Sequence, residues 1–225
     1  MFVHELGSRM MVNRAIWGIG LALQAALVYA VFGRGVARRF PAFTALIAFY
    51  PVRAASLFVL SSRIEQDDYD TTVHVLSMLE LALQAWLIVE ILQRLVGAAG
   101  GWTWRRGMAL LVLLAIGFYL TTVTFHLLPM EQPADRVQIA VGFVMMELFG
   151  VALKAADSRN LVLIPAGFAA FALLELVSLT GCAYATAHQN TGAYIAWSYL
   201  PGCGYLAVVA FWIAGLRGKP ASSQS

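Results

Sequence analysis

The amino-acid sequence predicts an all-α integral membrane protein with seven transmembrane helices, and three observations support that fold class. Of the 225 residues, 60% are hydrophobic and only 12% are charged, whereas a soluble domain carries about 25% charged residues. The mean hydropathy of the chain is +0.75. Seven continuous apolar stretches are long enough to cross a bilayer, whose core of about 30 Å requires roughly 20 helical residues.

Each apolar stretch is predicted to be helical because lipid offers no hydrogen-bonding partner to an exposed backbone amide. The loops between the stretches are short, so residues 1–225 are expected to form a single seven-helix domain. The predicted helices span residues 15–33, 42–61, 72–96, 108–128, 137–153, 161–183 and 193–216.

The distribution of basic residues predicts the orientation of the bundle, because cytoplasmic loops are enriched in arginine and lysine. Four basic residues lie on one side: Arg9, Arg14, Arg63 and Arg136. Ten lie on the other: Arg34, Arg38, Arg39, Arg94, Arg105, Arg106, Lys154, Arg159, Arg217 and Lys219. We therefore expect an external N-terminus and a cytoplasmic C-terminus.

Aromatic residues are expected to form belts at both membrane interfaces, where their amphipathic rings sit at headgroup level. The outer belt is predicted to hold Trp17, Tyr184, Tyr194 and Trp197, and the inner belt Trp102, Trp104 and Trp212. Three prolines are predicted to lie inside helices: Pro51, Pro165 and Pro201. Each removes a backbone hydrogen bond and is expected to kink its helix, and the glycines around Pro201 suggest a hinge.

A few polar side chains fall deep inside the predicted membrane segments, where charge is costly and needs a partner. Ser77, Glu80 and Gln84 share one face of their helix because of their spacing. Near the inner end of the same helix, Glu90 and Arg94 are expected to form an interfacial ion pair. The deep residues with candidate roles are Arg53, Glu80, Gln84, Glu147 and Glu175, and Gln24 lies at similar depth.

Three interpretations of the deep residues remain open. A structural network would fix helix packing, with Arg53 paired to one glutamate. Since one arginine cannot neutralise three carboxylates, at least one glutamate is expected to be protonated. The glutamates could then form a proton or cation relay, or the polar residues could line a pocket for a small ligand.

Two histidines raise the question of a cofactor. His74 and His126 are predicted at similar depth on antiparallel neighbouring helices, where they could ligate a transition metal or a haem. The sequence contains no HxxxH or HExxH motif that would make this signal specific. A retinal Schiff base requires a lysine in the last helix, and residues 193–216 contain none, which argues against a retinal protein.

No catalytic motif is evident, so the sequence favours a non-enzymatic membrane protein that senses or binds a small ligand in its bundle. It would signal to, or assemble with, another membrane protein. The alternatives are a proton-coupled transporter or channel using the deep carboxylates, and a haem- or metal-binding redox subunit. We expect a multi-pass protein of the cell inner membrane that contacts lipid and, because its arginines flank apolar segments, no nucleic acid.

Overall fold

The computed structural model describes residues 2–60, 66–98, 133–155 and 158–216, with side chains in 18–60, 68–97, 140–154 and 158–216. Every regular element within these ranges is an α-helix. In chain order the helices are α1 (Phe2–Gly33), α2 (Val36–Arg39), α3 (Pro41–Leu60), α4 (Gln66–Ala98), α5 (Pro133–Ala155), α6 (Arg159–Ala187), α7 (Thr191–Ser198) and α8 (Leu200–Gly215).

These helices overlap six of the seven predicted apolar segments, and the segment 108–128 lies outside the described residues. Both α1 and α4 are longer than predicted, since α1 begins at Phe2 and α4 at Gln66. The difference has a physical reason: apolar composition marks the part of a helix that lies in lipid, whereas the backbone bonds of a helix continue into its polar flanks.

Among the described residues, four helical spans are long and apolar enough to cross a membrane, which indicates a membrane protein. They are Pro41–Leu60, Asp68–Gly97, Arg159–Ala187 and Thr191–Gly215, and Gly18–Gly33 is a shorter apolar helix. Large apolar side chains lie exposed along these helices, for example Tyr29 and Met78 with 81% and 66% of their surface open. A soluble protein rarely exposes so much contiguous apolar surface.

The first loop is tight because a glycine turns the chain. Gly35 adopts the left-handed backbone conformation, with φ of 67°, which costs a glycine little. Its amide donates to the carbonyl of Phe32 at 3.1 Å and so closes the end of α1. The short α2 follows at once, and Pro41 begins α3, a position where its missing N–H costs no helical bond.

The last predicted helix, 193–216, corresponds to the span Thr191–Gly215, which is interrupted at Tyr199 between α7 and α8. Pro201 lies within this span and just after its interruption, as expected from the backbone hydrogen bond that proline removes. Proline suits this place, where its fixed φ fits the helix and no amide is needed. Pro51 and Pro165 do lie inside their helices, as predicted.

Six of the described helices form a closed ring, in which each contacts the next in the order α1, α3, α4, α5, α6, α8 and back to α1. The short α7 packs on α6. One end of this ring, which we call the basic end, carries Arg34, Arg38, Arg39, Arg94, Lys154 and Arg159. The start of α4 at the opposite end carries exposed Asp68 and Asp70. This separation of charge matches the predicted division between the two sides.

The apolar core lies mainly in the half of the bundle nearer the basic end. In α3 the buried residues all fall in the first seven positions, between Ala42 and Ile47. The large buried side chains of α4 and α8 also lie toward the basic end, for example Leu87, Ile91 and Trp212. In the opposite half of α1 and α6 the buried residues are small: Gly20, Ser178, Gly181 and Ala185. The large buried side chains of the described residues therefore gather at one end. The opposite half, which buries small residues and which we call the open half, leaves more of its described side-chain surface accessible.

Trp212 belongs to this core, and the expectation that it sits in the inner aromatic belt is wrong. Only 2% of its surface is exposed. Its indole Nε1 donates to the carbonyl of Leu163 at 2.9 Å, and its ring lies 5.4 Å from that of Phe43. Gly167 makes this possible, because a Cβ at that position would lie 2.4 Å from the indole.

Candidate functional site

Polar side chains from four helices meet where the packed half of the bundle gives way to the open half. Gln24 comes from α1, Arg53 from α3, Glu80 from α4 and Tyr205 from α8. We call the whole set the polar cluster, and it consists of Gln24, Tyr50, Arg53, Ser77, Glu80, Gln84 and Tyr205.

The centre of the cluster is the ion pair between the Arg53 guanidinium and the Glu80 carboxylate. The second guanidinium nitrogen of Arg53, Nη2, lies 3.2 Å from the Ser77 hydroxyl. Gln84, whose surface is 1% exposed, donates from Nε2 to the other oxygen of Glu80 at 3.2 Å. The predicted face of Ser77, Glu80 and Gln84 thus surrounds Arg53, and the predicted Arg53–glutamate pair is present.

A second group of contacts brings α1 and α8 into the cluster. The Gln24 side chain donates from Nε2 to the Tyr205 hydroxyl at 2.7 Å. The Tyr205 ring stands edge-on to the rings of Tyr50 and Phe171, with centroid separations of 6.1 and 5.9 Å. The Tyr50 hydroxyl hydrogen-bonds to Glu80 and Gln84. An unbroken chain of contacts therefore runs from Gln24 through the two tyrosines to Arg53.

Two polar atoms of the cluster are buried and have no hydrogen-bonding partner: Gln24 Oε1 and Arg53 Nε. One is an acceptor and the other a donor. A buried polar atom without a partner costs about 1–3 kcal/mol. Both atoms are enclosed by the protein, so this cost falls inside the packed part of the cluster.

Four members of the cluster lie within one helical turn of the last large core residues of their helices: Gln24 before Leu27, Tyr50 after Ile47, Gln84 before Leu87, and Tyr205 before Val208. The other three, Arg53, Ser77 and Glu80, lie farther toward the opposite end. Beyond the cluster, no large side chain of α1, α3 or α6 in the described ranges is fully buried. Arg53 keeps 27% of its side-chain surface accessible and Glu80 keeps 12%. The cluster thus lies at the boundary between the packed half and the open half.

Among the described residues, no contact joins the other two deep carboxylates to Glu80. Glu175 lies one turn beyond Phe171 on α6, toward the opposite end, so it stands above the cluster. Glu147 lies beside the buried stripe of α5, which runs through Val141, Met145 and Leu148. Within the described part of the chain, Glu147 makes no hydrogen bond or ion pair. The structure therefore brings together Arg53, Glu80 and Gln84 from the predicted set.

The structure describes one of the two residues of the predicted histidine site. His74 lies exposed on α4, and His126 falls outside the described residues. The ring of His188 contacts Tyr184, and its Nδ1 lies 2.9 Å from the carbonyl of that residue. Among the described residues, no three histidine, cysteine or carboxylate side chains come close enough to hold a metal ion. The metal or haem site stays a prediction.

At the basic end, charged side chains cap helices. Glu90 accepts a hydrogen bond from the Ala42 amide at 3.0 Å, at the start of α3, and one from Arg94 Nη2 at 3.0 Å. The Arg94 guanidinium lies 4.4 Å above the centre of the Phe40 ring. The predicted ion pair of Glu90 and Arg94 is present, but Glu90 also caps a second helix. Carboxylates at a helix N-terminus are stabilising because of the helix dipole.

A comparable cap closes the last helix. The Arg34 guanidinium donates to the carbonyls of Ile213 and Leu216, the latter at 2.7 Å. It thereby joins the end of α1 to the end of α8 and satisfies carbonyls that the helix leaves free. Together with the Glu90 cap, this contact holds the basic end of the ring closed.

The sequence did not single out Tyr50 and Tyr205 as members of the site. A signal for Tyr50 was available, since it lies three residues before Arg53 and so shares a helical face with it. Tyr205 could not be found in the same way, because its neighbours Gln24 and Tyr50 are 181 and 155 residues away and only the fold brings them together. The capping role of Glu90 was missed for the same reason.

Comparison with known proteins yields no relative: no protein-family model, no curated protein and no solved structure matches the chain. What the molecule does must therefore be argued from its own fold and contacts.

Proposed function

We propose that this protein is a multi-pass membrane protein that binds a small ligand at the polar cluster, where the packed half meets the open half. Binding would be sensed as a change in the packing of the open half. We also propose that another membrane protein receives that change. No catalytic step is part of this proposal.

One observation carries the proposal: a paired arginine and glutamate that keep part of their side-chain surface accessible, 27% for Arg53 and 12% for Glu80, lie beyond the large core residues of their helices. Ligand sites in membrane and soluble bundles commonly combine apolar walls with a few polar groups that fix orientation.

The proposal includes a membrane and an orientation. Seven helices would cross the bacterial cell inner membrane, with the basic end of the bundle in the cytoplasm and the N-terminus outside. The open half would then face outward, so the ligand would enter from the outside or from the outer leaflet. This orientation rests on the ten-to-four bias of arginine and lysine along the chain.

A proton relay through three carboxylates receives less support. A relay needs groups connected at hydrogen-bonding distance, directly or through water. In the described part of the chain, Glu80 contacts Arg53, Tyr50 and Gln84, and no contact joins it to Glu147 or Glu175.

Thermal unfolding in detergent tests the proposal, because a ligand that binds the folded state raises Tm by mass action. Small membrane-soluble compounds would be screened against the natural protein and the Arg53→Leu/Glu80→Leu double variant. The double variant removes both charges together and so leaves neither unpaired. We expect compounds that raise Tm in the natural protein only. A screen in which every stabilising compound acts equally on both would place ligand binding outside the cluster.

A further inference from the structure

We propose that the basic end of the bundle carries a binding site for the phosphate of an anionic phospholipid, formed by Arg38 and Arg39 of α2. This site is separate from the polar cluster, because α2 contacts α1 and α3 at the end of the bundle. The burial pattern of α2, the charge around it and the apolar helices on either side of it each support the proposal.

The short helix α2 holds its apolar residues inward and its arginines outward. Val36 and Phe40 lie four residues apart and so fall on the same side of the helix. Both are buried, with 0% and 3% of their surface exposed. Between them, Arg38 is exposed and Arg39 is half-buried. The two buried side chains therefore fix α2 to the bundle, and Arg38 and Arg39 remain accessible to a ligand.

The charge around α2 is positive and favours an anion. The connection between α1 and α3 contains three arginines and no carboxylate. Of these, Arg34 donates to uncharged carbonyls of α8, so its charge is not neutralised. The nearby carboxylate of Glu90 is already paired with Arg94. Within the described part of the chain, neither Arg38 nor Arg39 forms a hydrogen bond or ion pair. Guanidinium groups suit phosphate because they can donate two parallel hydrogen bonds to its oxygens.

The position of α2 favours a lipid over a soluble anion. Along the chain α2 lies between the apolar helix Gly18–Gly33 and the candidate membrane span Pro41–Leu60. It therefore falls at the edge of the hydrocarbon core, where the headgroups of phospholipids lie. On the last turns of α1, Tyr29 and Phe32 leave 81% and 59% of their surface exposed, an apolar surface that acyl chains can cover. Basic residues in such a position attract the anionic lipids of the cytoplasmic leaflet.

Binding is measured on the purified full-length protein in a neutral detergent, from the rise in Tm as each probe is added. Dioctanoyl phosphatidylglycerol supplies an anionic headgroup, dioctanoyl phosphatidylcholine has the same chains without net charge, and inorganic phosphate supplies the anion alone. We expect phosphatidylglycerol to bind most tightly and inorganic phosphate to leave Tm unchanged at the same concentration. Arg38→Gln and Arg39→Gln should each weaken phosphatidylglycerol binding about fivefold, the usual contribution of one basic residue at a membrane surface. The matched control Arg159→Gln alters an exposed arginine of α6 at the same end and should leave binding unchanged.

Each other outcome contradicts a part of the proposal. Equal binding of the two lipids, or no binding of phosphatidylglycerol, would overturn the recognition of an anionic headgroup. An equal rise in Tm with inorganic phosphate would assign the site to a soluble anion. Phosphatidylglycerol binding that is unchanged in both α2 variants, or equally weakened in Arg159→Gln, would refute a site at α2. Since Arg38 is exposed and makes no described contact, Arg38→Gln keeps the test valid even if Arg39→Gln does not fold.

Discussion

At the scale of single residues, Arg53 shows how a charge is held at membrane depth. Its guanidinium contacts Glu80 and Ser77, and Glu80 in turn receives hydrogen bonds from Gln84 and Tyr50. The charge is therefore surrounded by partners on two helices. If only one member of this set is removed, the others lose a partner and the fold is destabilised.

We predict that Arg53→Leu lowers the free energy of unfolding by about 2 kcal/mol, somewhat less than for a fully buried pair. Glu80 would be left without its counter-ion, whereas the Arg53→Leu/Glu80→Leu double variant should recover part of the loss. Thermal unfolding in detergent measures both, with Arg38→Leu as a control at an exposed arginine. Equal Tm values for Arg53→Leu and Arg38→Leu would argue that the Arg53–Glu80 pair does not stabilise the fold.

Glu90 allows a second test at the residue scale. Its carboxylate accepts the Ala42 amide at the start of α3, so Glu90→Leu should cost about 1 kcal/mol, the usual loss for an N-terminal cap. Glu90→Gln retains an acceptor oxygen and should lose less. Hydrogen exchange at the Ala42 amide reports the effect directly, with Gln93→Leu on the same helix as control. Unchanged exchange in Glu90→Leu would contradict the capping role.

At the scale of elements, close approach of helices depends on particular glycines. Packing of α6 against α8 places the Trp212 indole directly over Gly167. A similar contact joins Gly142 of α5 to Ala172 of α6, where a Cβ would lie 2.0 Å from the alanine side chain. Small residues of this kind let membrane helices approach closely enough for extensive van der Waals contact.

We predict that Gly167→Ala destabilises the bundle by about 1–3 kcal/mol, because the added methyl group would force α6 and α8 apart. Gly150→Ala provides the matched control, since a Cβ there meets nothing within 4 Å. Alanine in an open helical position should instead stabilise by about 0.5–1 kcal/mol. Thermal unfolding of the two variants should therefore shift in opposite directions. A Gly167→Ala variant as stable as Gly150→Ala would contradict the described packing of Trp212.

The elements also show what the sequence could predict. Continuous apolar runs located the helices, since apolar composition alone determines which segments suit a bilayer. The interruption at Tyr199 agrees with the kink expected near Pro201, but the apolar residues that continue through it did not reveal where it falls. The burial of Trp212 was missed because a helix end rich in apolar residues does not reveal which face meets its neighbours.

At the scale of the whole molecule, the two ends of the bundle differ in packing and in charge. Caps by Arg34 and Glu90 close the basic end, where the large core side chains also lie. Among the described side chains, the opposite half buries few residues, and in α1 and α6 these are small. Of the candidate site, the sequence could predict the pairing of Arg53 with a glutamate, because one buried charge requires another. It could not predict Tyr205 or the open half, because both depend on contacts between distant helices.

The orientation of the bundle gives a prediction at this scale. Cysteines introduced singly at Asp68 and at Arg38 should lie on opposite sides of the membrane, since these exposed residues mark opposite ends of the bundle. The background would lack Cys182 and Cys203. In intact cells, a membrane-impermeant maleimide should label Asp68→Cys and spare Arg38→Cys until the cells are opened. The reverse pattern would invert the proposed topology.

The central claim is that the polar cluster lies at the boundary of a half-bundle open to the outside, and cysteine accessibility measures this most directly. In the same cysteine-free background, Ser77→Cys places a thiol beside Arg53, and Leu87→Cys places one in the packed core of the same helix. Intact cells are treated with the impermeant maleimide, with Asp68→Cys as the fully exposed reference. We expect labelling of Ser77→Cys, slower than that of the reference, and none of Leu87→Cys. A Ser77→Cys variant as unreactive as Leu87→Cys would contradict the claim.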